Sequence, residues 1–142
     1  MADELYDCAV VVKGLMDEIT SVVEKTHLGP PSSVVTKCEG AVIVDRLRHG
    51  QAGTSLHGQR YYLTLRGYAP MAPEPEIAEK KLLKLRNLMI DKLNANVTLS
   101  GTASRSNLEG GRMGNRSPGG VMCRTLDVRL EVYLVQAEAY AA

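Results

Sequence analysis

Apolar residues recur near the start of the chain at Leu5, Cys8, Val12, Leu15, Ile19 and Val22, spaced 3, 4, 3, 4 and 3 apart. That interval lines one face of an α-helix. Asp3, Glu4 and Asp7 fall in its first turns, where carboxylates favour the positive end of the helix dipole. Gly29, Pro30 and Pro31 are expected to stop it. The stripe is shorter than three heptads, so packing on the protein's own sheet is expected rather than a coiled-coil seam.

Two β-branched clusters follow, Ser33 to Lys37 and Ala41 to Val44, expected as one strand or as two segments broken by a bulge at Gly40. From Arg60 to Gly67 the pattern changes to period two: Tyr61, Leu63 and Leu65 face one way, Tyr62, Thr64 and Arg66 the other. Pro70, Pro73 and Pro75 lead into a second helix whose apolar face is Ala78, Leu82, Leu85, Met89 and Leu93. Its glutamates come early and its lysines and Arg86 later, which suits the dipole, and Asn94 is a suitable stop. A short strand is expected over Val97 to Ser104. The clearest strand is the last, where Leu126, Val128, Leu130, Val132 and Leu134 alternate with polar residues. Residues 45–59 and 107–120 are rich in glycine and are expected to be flexible projecting loops; residues 137–142 are expected to fray.

The expected architecture is a single α+β domain over residues 1–142. Its antiparallel or mixed β-sheet has about four to five strands, with two helices packed on one face. The resemblance between residues 21–25 and 33–37 is not an internal repeat, because one segment reads as helix and the other as strand.

Composition constrains function mostly by exclusion. With no Phe, no Trp and six Tyr, the core must be aliphatic. A formal net charge of +1 gives no general reason to expect nucleic acid or an anionic membrane as partner. Cys8, Cys38 and Cys123 are too scattered for a disulfide framework or a CxxC pair, and reduced, buried thiols are expected. Neither a secretory leader nor an apolar run long enough for a membrane span is evident.

No chemistry-bearing constellation emerges. His27, His49 and His57 lack the closely spaced partners of a zinc site. There is no GxSxG elbow. The glycine-rich run Glu109 to Arg116 lacks the Gly-Lys-Ser/Thr ending of a P-loop and precedes a strand rather than a helix. No catalytic, cofactor-binding or metal-binding residues are therefore assigned, and no enzyme activity is expected. What exceeds a minimal small domain is the pair of long arginine-bearing loops. Arg46, Arg48 and Arg60 flank the first, and Arg112 and Arg116 lie in the second. Arginine suits protein interfaces and phosphates alike, but no aromatic residues are interleaved for base stacking. These five arginines are the expected partner or subunit interface.

The stretch from Glu79 through Leu93 into Asn96 to Thr102, the variable loop after it, and the closing strand Thr125 to Tyr133 together resemble the tail terminator (tail completion) proteins of long-tailed bacteriophages. The first helix and residues 31–65 follow the same order of elements. The resemblance implies a hexameric homo-oligomer ring in the virion tail or neck, made in the host cytoplasm. Such a ring caps the tail tube, stops its polymerisation and joins it to the head–tail connector protein, with DNA passing through the lumen unread. The alternatives are another head–tail joining protein, a small α+β ligand-binding domain or enzyme, or a nucleic-acid module using the arginine loops.

Overall fold

The computed structural model describes residues 2–31, 35, 37–44, 58–71, 74–99, 103 and 105–135. Helix α1 spans Ala2–Asp17 and α2 spans Pro75–Asn94. The strands are β1 (Thr26–Leu28), β2 (Glu39–Val44), β3 (Gly58–Pro70), β4 (Arg105–Arg116) and β5 (Cys123–Val135). They form one mixed sheet in the order β1-β2-β3-β5-β4, parallel between β1 and β2 and antiparallel elsewhere. The α+β architecture therefore stands.

Both helices lie on the same face of the sheet. Cys8, Ala9, Val12 and Met16 of α1 share one buried cluster with Ala78, Leu82, Leu85, Met89 and Leu93 of α2. Val42, Leu63, Leu65 and the alternating Leu126 to Leu134 series of β5 complete that cluster. The apolar face of α2 is the one its spacing predicts. Glycines set how closely the helices approach. A Cβ on Gly67 would come within 2.6 Å of Leu85 Cδ2, and one on Gly40 within 2.8 Å of Met16 Cε. Gly40 pairs with Gly67 in unbroken register, so of the two alternatives no bulge forms there and Gly40 is a close-packing position. A smaller cluster of Val35, Ala41, Tyr68 and Cys123 covers one end of the opposite face.

Four expectations need correction. The first helix stops at Asp17, and Ile19 and Val23 reach the core through successive turns instead. The run from Ile19 to Val23 is rich in β-branched residues, which weakens its helix propensity. Gly29, at φ 91°, and the prolines after it therefore end the short strand β1 rather than a helix. Second, the expected strand over 97–104 is a turn as far as it is described. Asn96 donates its side-chain amide to the Lys92 carbonyl at 2.7 Å, and Leu99, at φ 50°, buries its side chain completely.

Third, residues 107–116 of the expected second loop are paired strand. The register of β4 on β5 shifts between Glu109 and Arg112, around Gly110 at φ 57°. That bulge reverses the alternation, placing Leu108 and Met113 on the same face although they are five residues apart. A period-two pattern is thus concealed in the sequence, and only a tight 3-10 turn at Pro118–Gly120 remains of the loop. Fourth, β3 begins at Gly58 and continues to Pro70, beyond the expected ends. Residues 45–57 of the first loop, residues 33, 34 and 36, and the tail 136–142 lie outside the described residues.

Candidate assembly surface

On the face of the sheet away from the helices, β3 and β5 carry Tyr62, Thr64 and Arg66 opposite Glu131, Arg129 and Asp127. Arg66 forks onto Asp127 through Nε (2.6 Å) and NH2 (3.1 Å), and donates from NH1 to the Tyr68 hydroxyl at 3.3 Å. Burial opposes the guanidinium charge, but hydrogen bonds to Asp127 and Tyr68 outweigh it and raise the Arg66 pKa above its ordinary value. Arg129 lies 5.0 Å from the Tyr62 ring centroid, and the Tyr62 hydroxyl donates to Glu131 at 3.4 Å. These charges are arranged to satisfy one another across strands, which ties β3 to β5.

The structure divides the five predicted arginines. Arg46 and Arg48 lie outside the described residues. Arg60 is on β3, as the period-two pattern starting there predicts, and shares with Arg105 the rung centred on Tyr133. Arg112 and Arg116 are exposed on β4, opposite Asp127 and Cys123, beside a shallow depression of about 250 Å³. Six residues of β5 separate the Asp127 and Tyr133 rungs, roughly 20 Å along the strand. Arg112 and Arg116 therefore form a local pair, remote from Arg60. Arg124 has a different task on the helix side. It forks onto Glu79 at 3.0 and 3.2 Å and reaches Asn115 at 3.2 Å, joining α2 to β4 and β5. The Glu79 hydrogen bonds raise its pKa.

A cleft of about 620 Å³ opens between the turns after α1 and the start of α2, lined by Val22, Val23, Ile77, Ala78 and Cys38 among others. Burial pushes the Cys38 thiol up to about 11, which holds it in the poorly nucleophilic protonated form near neutral pH. All three cysteines are buried free thiols. His27 Nε2 stands 2.6 Å from Oε1 of the buried Glu39, an ion-pair geometry within the sheet. Among the described residues, no three His, Cys, Asp or Glu side chains converge as a metal ion requires, and no helix is long and apolar enough to cross a membrane.

The two lateral ends of the fold carry a feature that the hydrophobic periodicity does not reveal. Lys25 and Gly29 bond inward to β2, so the intervening Thr26 N–H points outward from β1. Asp17 accepts it at 2.9 Å while also holding Lys13 at 2.9 Å. The α1 flank over this edge is thus Tyr6, Val10, Lys13 and Asp17, at intervals of 4, 3 and 4. Tyr6 is 56% and Val10 42% exposed.

At the opposite end, over β4, α2 presents Glu79, Leu83, Arg86 and Ile90 at the same intervals. Glu79 holds Arg124, and Arg86 lies over Gly111, where an added Cβ would come within 3.1 Å of its Nε. Leu83 is 50% exposed. Val97, just beyond the helix, is 43% exposed. These apolar residues interrupt no pattern, since they sit beside the stripes that pack the core; only their exposure in the fold marks them. The sequence matches no protein-family model and no curated protein.

Proposed function

We propose that this chain is a structural assembly protein of a phage tail or neck. Its specific role is that of a tail terminator whose hexameric ring caps the tail tube and offers the joint to the head connector. The observation that carries the reading is the pair of apolar flanks at opposite ends of the sheet, one on α1 beside β1 and one on α2 beside β4. Two different open surfaces on opposite sides suit head-to-tail contacts, which close into a ring when the rotation between copies allows. The order helix, hairpin, helix, strand pair agrees with the resemblance to tail terminators. The paired charges on the helix-free face support an architectural role over a catalytic one.

Light scattering and negative-stain microscopy test this directly, on the purified chain alone and mixed with tail tube protein. Rings that sit at tube ends and halt further growth are the expected result. A chain that stays monomeric at all concentrations and leaves tube length unchanged ends the reading. A ring that binds only the connector would instead identify another neck protein.

A further inference from the structure

We infer that neighbouring copies meet through unlike surfaces, the Tyr6–Val10 flank of α1 on one copy seating against Leu83 and Ile90 of α2 on the next. This rests on the ring reading and adds to it the identity of the contact. Three observations select it. Tyr6, Val10 and Leu83 are large apolar side chains that stay exposed, whereas the charged residues interspersed with them on the two flanks are engaged within the subunit or held against it. Lys13 binds Asp17, Asp17 binds Thr26 and Glu79 binds Arg124, while Arg86 lies over Gly111. The contact therefore covers apolar area without stripping these charges of their partners.

The exposed charges adjoining each flank then decide between like and unlike pairing. Asp7 is exposed beside Tyr6, while Lys80 and Lys84, with Glu76 one turn before Lys80, are exposed along the solvent side of the Leu83 flank. Pairing α1 with α1 brings Asp7 towards its own copy, and pairing α2 with α2 brings together two surfaces on which Lys80 and Lys84 outnumber Glu76. Pairing α1 with α2 sets acid against base, which favours the head-to-tail arrangement. Position agrees, because the flanks lie over the first and last strands of the sheet order β1-β2-β3-β5-β4, so each copy presents one to each side. The seated α1 also lies alongside the β4 edge, as it already lies alongside β1 in its own subunit.

Single variants Val10→Cys and Leu83→Cys, joined with a short bis-maleimide reagent, test the pairing. The three native cysteines are buried, so the unmodified chain provides a low background. An equimolar mixture of the two variants should yield covalent dimers at least about tenfold more efficiently than either alone, since a specific contact raises effective concentration. The double variant should yield a ladder ending at the ring size. Leu83→Arg should abolish assembly while leaving the circular dichroism spectrum of the folded chain unchanged. Efficient dimers from Val10→Cys alone would mean a two-fold contact and overturn the inference. Rings seen by light scattering without mixed cross-links, or rings that survive Leu83→Arg, would overturn this pairing and leave the ring reading intact. A chain that never assembles, with or without tube protein, would remove both.

Discussion

At one edge of the sheet, β1 is three residues long, and Asp17 of α1 takes the outward Thr26 N–H. At the other edge, β4 runs for twelve residues, and no strand among those described pairs with its outer side. An uncovered edge is a template for pairing with another chain, and proteins manage it by covering it or by making it irregular and charged. The β1 edge is short, and its Thr26 N–H is capped by Asp17. The β4 edge is irregular and charged: the bulge around Gly110 and Gly111 bends it, while Glu109, Arg112 and Arg116 stand exposed along it. The difference shows how one sheet can cap a strand edge from within at one end and guard it with charge and irregularity at the other. A covered edge depends on the fold that covers it, whereas a charged, bulged edge refuses random strands and still admits a complementary surface.

The covered side should be the more fragile, and the largest effect tests that. Cys38 precedes β2, and its carbonyl accepts the Glu24 N–H at 2.8 Å, close to the β1 end. Its folded thiol keeps its proton up to about 11, against 9.0 for an ordinary cysteine, so the stability linked to it is intact below pH 9 and lost as pH rises toward 11. Two pH units correspond to at most about 3 kcal/mol. Urea unfolding across that range should fall more steeply for the native chain than for Cys38→Ala, and equal slopes would dissociate the thiol from the folding equilibrium.

Asp17→Ala should come next. It leaves the Thr26 amide without its charged acceptor at a loss of about 2 kcal/mol, with faster hydrogen exchange at that amide. Unchanged exchange would show that Asp17 does not guard this edge. On the open side, Gly110→Ala forces a side chain into the left-handed region at φ 57° and should cost about 1 kcal/mol in chemical denaturation. The smallest effect is expected from Arg112→Ala or Arg116→Ala, which should leave the urea midpoint unmoved because both side chains are exposed on β4. A large loss of stability there would make the β4 edge structural instead of available.

The parts of the fold legible beforehand were those in which one periodicity runs unbroken. The five core residues of α2 and the five alternating apolar residues of β5 satisfy helix and strand geometry without help from neighbours. The β4 strand was illegible because its bulge places Leu108 and Met113 on one face at an odd spacing, and its glycines resemble a loop by composition. The end of α1 was illegible for another reason. Ile19 and Val22 continue the helical spacing, yet the chain turns at Asp17, whose carboxylate meets a strand nine residues later. Of the arginines proposed as an interface, Arg112 and Arg116 share a surface, but Arg60 belongs to a distant rung.

The sequence alone determined the α+β class, the aliphatic core, the second helix and the central strands, because there an unbroken hydrophobic periodicity acts locally. Only tertiary structure decided that a glycine-rich run becomes an edge strand and that Tyr6, Val10 and Leu83 remain uncovered at opposite ends. Those outcomes follow from strand pairing and from which helix flank a neighbouring strand leaves open, and contacts between residues far apart in the chain leave no periodic trace within either segment.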